Sequence, residues 1–242
     1  MRVSLLEFDI VWGQPRKNIL LVEKMMRNRD AADLYILPEM WATGFAVDTV
    51  EIAEDETSST ALQWMKQIAK ERQCAISGSL AVKVGDNYYN RHYFVTPNSV
   101  SFYDKRHLFS YGHEDVHYTR GEQPVIVNWQ GFRILLQTCY DLRFPVFSRY
   151  GRAGKYDAII YVANWPEKRQ MAWETLLRAR AIENMCYVMA VNRTGQDTKC
   201  KYTGGSAIID LLGKTINGLS SDLSLEELRL TRNRFRFLDD RD

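Results

Sequence analysis

The stretch VIVNWQGFRILLQTCYDLRFP, from Val125 to Pro145, combines strand signals with a candidate nucleophile, Cys139. Gln130 and Gly131 form a turn signal between two apolar runs, which indicates a pair of β-strands. The second strand runs straight into Cys139, and a short helix is expected soon after it. The sequence therefore predicts a thiol at a strand end, close to the N-terminus of a helix.

Strand signals alternate with amphipathic helical stretches on both sides of this segment. Such alternation is typical of an α/β domain in which helices cover sheets. No repeat or linker interrupts the pattern, so we predict one domain over residues 1–242. Strands are expected at Arg2 to Phe8, Leu34 to Pro38, from Cys74, from Asn87, from Ser101, at Asp157 to Trp165 and at Cys186 to Arg193, and helices at Pro15 to Arg29, about Ser59 to Arg72, Glu167 to Asn184 and Ser224 to Phe235.

The composition is that of an ordinary globular protein, and it argues against several functional classes. The 242 residues include 32 basic and 30 acidic side chains, and the resulting charge of +2 is spread along the chain. A nucleic-acid partner therefore has no support. The first ten residues do not form a secretory signal and no segment is long enough for a bilayer span, so we expect a cytoplasmic protein without a membrane partner. Four cysteines without C-x-x-C spacing predict free thiols.

Three segments place a polar or reactive side chain directly after an apolar strand, where α/β proteins commonly hold ligands. They are LPEMWATGF, YDKRHLF and LQTCYDLRFP. A thiol with a pKa of about 8.5 needs a base or a cation before it attacks a carbonyl group. The residue types leave two possibilities open. One is a cysteine–histidine pair that uses His92, His107, His113 or His117; the other uses Glu39 as base, with Lys105 and the N–H of Tyr140 stabilising an oxyanion.

The same segments carry a family resemblance. The contexts PE-x-x-x-x-G around Glu39, Y-x-K-x-H-L-F around Lys105 and C-Y-D-x-R-F-P from Cys139 resemble the Glu-Lys-Cys triad of the nitrilase, or carbon–nitrogen hydrolase, superfamily. The segments VANWP and RARAIEN are similar to those of its bacterial omega-amidase branch. The resemblance covers essentially the whole chain, and the combination of motifs is far more specific than any one of them.

The resemblance implies a fold, an assembly and a set of site residues. The implied fold is a four-layer α-β-β-α sandwich, which associates as a homodimer through the outer helical layer. Glu39 matches the general base, Lys105 the electrophilic stabiliser and Cys139 the nucleophile. Glu114 matches an auxiliary glutamate that would hold Lys105 protonated and oriented.

The implied reaction is hydrolysis of the terminal amide of 2-oxoglutaramate or 2-oxosuccinamate, through a cysteine thioester and without a metal or organic cofactor. Removal of Lys105 is expected to cost about 3 kcal/mol or more of transition-state stabilisation. Other linear amides, N-carbamoyl compounds and nitriles stay open as substrates, because the same triad serves them all. A catalytically silent binding protein and an acyl transferase are further alternatives.

Residues next to the motifs are candidates for the substrate pocket. Phe45, Asn164 and Trp165 lie where a pocket is expected, although Trp165 could equally be a core side chain. Asp141 and Arg143 flank the nucleophile and could bind the substrate, but we favour the interpretation that these opposite charges pair and brace the loop.

Overall fold

A computed structural model of the chain describes residues 1–45, 47, 52–216 and 218–241. The strands are β1 (Arg2–Leu5), β2 (Leu34–Ile36), β3 (Glu54–Asp55), β4 (Ala75–Val84), β5 (Asn87–Val95), β6 (Val100–Asp104), β7 (Val125–Trp129), β8 (Phe132–Thr138), β9 (Ala158–Ala163), β10 (Tyr187–Asn192), β11 (Thr194–Gln196), β12 (Lys201–Thr203), β13 (Ala207–Ile209), β14 (Thr215–Ile216) and β15 (Ser220–Asp222). The helices are α1 (Pro15–Arg27), α2 (Thr60–Arg72), α3 (Glu114–His117), α4 (Pro145–Ser148), α5 (Gln170–Asn184) and α6 (Leu225–Phe235).

The predicted hairpin at the centre of the chain is confirmed. β7 pairs antiparallel with β8, and Trp129 lies opposite Phe132 across a two-residue turn. Gln130 and Gly131 have φ values of 49° and 80°. Two successive positive φ values match the right-handed twist of the flanking strands, which is why such turns join short hairpins.

Local signals also explain the ends of the longer helices. Pro15 occupies the first turn of α1, where its missing N–H has no helical partner to lose. Ser59 caps α2 by accepting a hydrogen bond from the N–H of Leu62 at 3.1 Å, and Gln73 ends the helix with a left-handed φ of 52°. α1 is two residues shorter than predicted, as Asn28 already departs from helical geometry.

Two sheets make up the centre of the molecule. In the first sheet the strand order is β15-β1-β2-β4-β5-β6, with β3 also paired to β4. In the second sheet the order is β14-β13-β10-β9-β8-β7. β1, β2 and β4 are parallel to one another, and so are β8, β9 and β10. The predicted antiparallel meander of β4, β5 and β6 is confirmed.

Three apolar cores separate four layers. One core lies between the sheets and includes Ile36 of the first sheet and Leu136 of the second. A second core packs the outer face of the first sheet against α1 and α2. A third packs the outer face of the second sheet against α5, through Trp173 and Leu177. The expected α-β-β-α sandwich is therefore confirmed, and the buried apolar faces are what hold its layers together.

The topology brings several strand ends to one edge of the sandwich. β2 and β4 are parallel, and two antiparallel steps through β5 give β6 the same direction as β4. β8 and β9 of the second sheet are also parallel to each other. The residues that follow β2, β6, β8 and β9 meet at this edge, where hydrogen bonds join Glu39 both to Lys105 and to Asn164.

Candidate active site

Glu39, Lys105 and Glu114 form a buried ion triplet at this edge. The Nζ atom of Lys105 lies 2.8 Å from Oε1 of Glu39 and 2.7 Å from Oε2 of Glu114. All three side chains have zero exposed surface. Buried charges are tolerated when they are paired and hydrogen-bonded, so this arrangement holds one ammonium group between two carboxylates.

The Glu39 carboxylate is held from both sheets. Oε1 accepts hydrogen bonds from Nδ2 of Asn90 and from Lys105, both at 2.8 Å. Oε2 accepts one from the backbone N–H of Asn164 at 2.9 Å. The next residue, Met40, has a positive φ of 43°, and its N–H donates to Oγ of Ser79. The sharp turn after β2 thus aims the carboxylate along the sheet edge.

Cys139 lies at a second sharp turn, directly after β8. Its φ is 45°, which costs a non-glycine residue on the order of 1–3 kcal/mol and is common at functional sites. A 3₁₀ turn covers Cys139–Arg143, and the first N–H groups of such a turn have no acceptor within it. The N–H of Tyr140, the residue after Cys139, can therefore donate a hydrogen bond to a negatively charged oxygen.

Burial and charge set the protonation of this cluster. Burial raises the pKa of the Cys139 thiol well above its usual value, and the charge of Glu39 and a hydrogen bond to it raise it further. Burial lowers the pKa of Lys105, but the carboxylates of Glu114 and Glu39 outweigh that effect and raise it. The resting site therefore holds a neutral thiol and a charged ammonium group, so the thiol must lose its proton as it attacks.

Glu114 lies at the start of α3 and binds three donors. Oε2 accepts hydrogen bonds from Lys105 and from the N–H of Phe109, and Oε1 accepts one from Asn90 at 2.9 Å. Burial raises the pKa of Glu114, against the effect of the Lys105 charge. Asn90 thus links both carboxylates, and Glu114 fixes the position of the lysine.

The histidines have other partners or positions. His92 lies between the sheets, with Nε2 2.8 Å from Oγ of Ser77 and Nδ1 3.2 Å from the carbonyl of Gln137. His107 binds Asp141, and His117 is exposed. His113 is exposed at the wall of the cleft that Cys139 also lines, but it is not among the charged groups that act on the thiol. The charged groups that act on the Cys139 thiol are Glu39, Lys105 and Glu114. The arrangement therefore favours a carboxylate, rather than an imidazole, as the base.

A cleft of about 680 Å³ opens onto Cys139. This volume is in the usual range for a small-molecule site. All three predicted pocket residues line it: Phe45, whose ring centre is 5.5 Å from Nζ of Lys105, Asn164 and Trp165. Trp165 has only 3% of its surface exposed, and its Nε1 donates to the carbonyl of Arg169. The indole is therefore both a wall of the cleft and a core side chain.

The interpretation of Asp141 and Arg143 as a pair is wrong. Asp141 is buried and accepts hydrogen bonds from the hydroxyl of Tyr103 and the N–H of His107, at 2.8 and 3.0 Å. Arg143 is exposed, lines the cleft and stacks over the Trp165 ring at 5.1 Å. The backbone of the 3₁₀ turn directs the two side chains apart, so Asp141 braces the loop without Arg143.

Two features of the site were not predicted from the sequence. Asn90 lies in β5 and is fully buried. The available signal was the polar run Asn90–Arg91–His92 inside a predicted strand. The β11–β12 hairpin forms one wall of the cleft with Asp197–Tyr202.

In the described part of the chain no three His, Cys, Asp or Glu residues are grouped to hold a metal ion. None of the described helices has the length and apolarity for a membrane crossing.

Comparisons with known proteins point in one direction. The carbon-nitrogen hydrolase family model matches residues 2–228. The omega-amidase YafV of Yersinia enterocolitica is 39% identical over 252 residues, which cover 100% of this chain and 97% of that protein. The 2-oxoglutaramate amidase of Bacillus subtilis is 34% identical and covers 88% of this chain and 84% of its own. The crystal structure of XC1258 from Xanthomonas campestris, a CN-hydrolase superfamily protein with an arsenic adduct in its active site, has a TM-score of 0.93 at 38% identity and covers 100% of this chain and 97% of its own.

Proposed function

Since the chain belongs to the carbon-nitrogen hydrolase family, we propose that it is an omega-amidase that uses Glu39, Lys105, Cys139 and Glu114. The substrate is the terminal amide of 2-oxoglutaramate, 2-oxosuccinamate or a similar acid, and the products are the 2-oxo acid and ammonia. The observation that carries this proposal is the ion triplet beside a thiol at the base of a cleft.

Acylation begins with a proton transfer. Glu39 accepts the proton of Cys139 as the sulfur attacks the amide carbon, because the raised thiol pKa leaves little thiolate at rest. Negative charge develops on the amide oxygen, where the Lys105 ammonium group and the N–H of Tyr140 stabilise it. Glu39 then returns the proton to the leaving nitrogen, ammonia departs, and the acyl group remains on sulfur as a thioester.

Deacylation uses the same groups in the reverse direction. Glu39 takes a proton from a water molecule, which attacks the thioester carbon while Lys105 and Tyr140 stabilise the oxyanion again. The sulfur leaves and regains a proton from Glu39. Glu114 keeps Lys105 charged and in place throughout, through the 2.7 Å ion pair.

The charge of the cleft supports an acidic substrate. Its lining carries five cationic side chains and two carboxylates, namely Arg143, Lys168, Arg169, Lys199 and Lys201 against Glu167 and Asp197. A surplus of cations at the mouth attracts an anion and can bind its carboxylate. This charge favours a dicarboxylic acid monoamide over a neutral amide or nitrile, and the activities named for the relatives agree with it.

The first test is ammonia release from 2-oxoglutaramate by the wild type, Cys139→Ala and Cys200→Ala. Cys200→Ala is the matched control, because this second thiol also lines the cleft and no catalytic role is assigned to it. We expect turnover by the wild type and by Cys200→Ala, and none by Cys139→Ala. Asparagine, glutamine, N-carbamoyl compounds and nitriles serve as alternative substrates. Folded wild-type protein that releases no ammonia from any amide would reject the proposal in favour of acyl transfer or binding.

We also propose that the protein is a single-domain cytoplasmic homodimer over residues 1–242. Exposed apolar side chains on the outer helix α5 support association through this layer: Met171 and Ile182 have 82% and 51% of their surface exposed. Light scattering on the purified protein is expected to give twice the mass of the chain, and Met171→Asp/Ile182→Asp to give the monomer. A wild-type monomer at micromolar concentration would contradict the dimer.

A further inference from the structure

Asn164 holds Glu39 through its backbone and its side chain. It follows β9, lines the cleft with Cys139 and has only 6% of its surface exposed. Its N–H donates to Oε2 of Glu39, and its Nδ2 donates to the Glu39 carbonyl at 2.6 Å and to Oε2 at 3.5 Å. The amide nitrogen therefore faces two acceptors of the same residue.

This arrangement fixes the orientation of the Asn164 amide. A flipped amide would set its oxygen against a carbonyl and a carboxylate, which accept hydrogen bonds and repel it. With Nδ2 on Glu39, Oδ1 is buried and has no hydrogen-bond partner among the described residues. A buried acceptor without a donor is unfavourable, and in an enzyme cleft it is a candidate contact for a ligand.

We propose that Oδ1 of Asn164 accepts a hydrogen bond from an N–H of the substrate's primary amide and so selects for amides. This inference rests on the proposed function. The donors of the site, Lys105 and the N–H of Tyr140, take the carbonyl oxygen. The amide nitrogen is then left for the acceptors, which are the Glu39 carboxylate and Oδ1 of Asn164. A primary amide satisfies both sets, because its carbonyl oxygen is an acceptor and the nitrogen on the same carbon carries two N–H donors.

The contact gives the site a chemical preference. An ester has an oxygen in place of the N–H group, and a nitrile has no N–H at all, so each leaves Oδ1 of Asn164 unpaired in a desolvated position. A site built to bind an N–H group rejects analogues that lack it. The carboxylate product is also disfavoured, because an anionic oxygen would face Oδ1 and Glu39. Asn164 thereby contributes to amide specificity and to product release.

The experiment compares an amide with the methyl ester of the same dicarboxylic acid. Both substrates need Cys139, Glu39 and the oxyanion donors, but only the amide has an N–H group for Asn164. We expect Asn164→Ala to lower kcat/KM for the amide at least about tenfold more than for the ester. An equal loss for both substrates would leave the amide-to-ester ratio of kcat/KM unchanged. This result would overturn the inference, because Asn164 would then only position Glu39.

Asn90→Ala is the matched control. Asn90 also donates to the Glu39 carboxylate, at 2.8 Å, but it does not line the cleft. This variant is expected to lower the amide and ester rates by similar factors. A selective loss of the amide rate in Asn90→Ala would show that disturbance of Glu39 alone produces the effect, which would also overturn the inference.

A binding measurement covers the case in which the Asn164 variant does not fold. With Cys139→Ala, calorimetry is expected to show the amide bound at least about tenfold more tightly than the ester. Equal affinities would overturn the inference. Failure of the proposed function is distinguishable, because it would appear as a wild type that turns over neither substrate, whereas failure of this inference leaves amide turnover intact.

Discussion

At the level of single residues, the site is an ion triplet whose charged groups are stabilised by hydrogen bonds from the protein. Two carboxyl groups and one ammonium group lie together in a fully buried position. Asn90 donates to both carboxylates, and backbone N–H groups of Phe109 and Asn164 donate to one each. Such donors replace hydration, which is why a buried group of this kind is tolerated.

Glu114→Gln removes one charge from the triplet while preserving its shape. We expect kcat/KM to fall about tenfold or more, because Lys105 loses the strongest partner that orients it. The loss of a carboxylate also lowers the pKa of Lys105, so the alkaline limb of the rate profile should move to lower pH. A pH series of kcat/KM measures both effects. Asp115→Asn, at the exposed neighbouring position, is the control, and equal profiles for the two variants would contradict the role of Glu114.

Arg143→Gln tests the charge of the cleft. The guanidinium group is exposed and stacked over Trp165, at the wall that leads to Cys139. We expect KM for an acidic amide to rise about tenfold or more, since a charged hydrogen bond to its carboxylate is lost. KM for a neutral amide should stay the same. Arg149→Gln, outside the cleft, is the comparison variant; a similar rise for both amides, or for both variants, would exclude a carboxylate contact by Arg143.

Among the secondary-structure elements, two sharp turns at strand ends place the candidate reacting groups close together. Met40 after β2 and Cys139 after β8 both have left-handed backbone, although neither is glycine. The β2 turn is packed against β4, where a Cβ atom on Gly78 would lie 2.8 Å from Cβ of Leu37 and 3.0 Å from Cδ1 of Trp41. The absence of a side chain at Gly78 therefore lets the Glu39 turn approach the sheet.

Gly78→Ala should disturb this turn from outside the site. The added methyl group pushes on residues two positions before and two after Glu39, so we expect kcat to fall on the order of 10- to 100-fold. The free energy of unfolding should fall by about 1–3 kcal/mol from overpacking. Steady-state kinetics and urea denaturation measure the two losses. Gly85→Asn, in an open hairpin position with a φ of 60° that Asn tolerates, should change neither; full activity in Gly78→Ala would contradict the close-packing argument.

At the scale of the whole molecule, the two sheets meet through an apolar core that contains one histidine bridge. His92 of β5 contacts the carbonyl of Gln137 in β8, two residues before Cys139. Burial lowers the pKa of His92 from 6.5 to about 3, partly offset by that hydrogen bond. The imidazole is thus neutral in the fold, where its Nδ1–H donates to the carbonyl and its Nε2 accepts from Ser77.

This bridge predicts a loss of stability in acid. In the unfolded chain His92 takes up a proton below pH 6.5, whereas the folded protein resists it to about pH 3. Its contribution is therefore complete above pH 6.5 and declines as the pH falls, by about 2 kcal/mol between pH 7 and pH 5. Urea denaturation at several pH values measures the slope. His92→Gln should reduce this slope and exposed His117→Gln should not; the same slope in all three proteins would contradict a buried neutral His92.

From the sequence, most of the longer elements and the candidate reacting groups could be predicted. Turn signals, apolar runs and capping residues are local properties, so the β7–β8 hairpin, the meander and the Ser59 cap could be read from neighbouring residues. The residue types around Glu39, Lys105 and Cys139 left a cysteine–histidine pair open, and the combined motifs selected one chemistry through their resemblance to a known family. Short extra strands such as β3 and β15 escaped prediction, since partners distant in the chain form them.

The hydrogen bonds among the side chains of the site became known only from the tertiary structure. The Asn90 link between two carboxylates, the Tyr103 hydrogen bond to Asp141 and the unpaired Oδ1 of Asn164 all depend on side chains from different elements meeting at one edge. Hydrogen bonds require alignment within about 0.5 Å, and no local pattern in the chain encodes distances between strands that far apart. The sequence therefore supplies the side chains of the proposed chemistry, and the packing of the two sheets sets the distances between them.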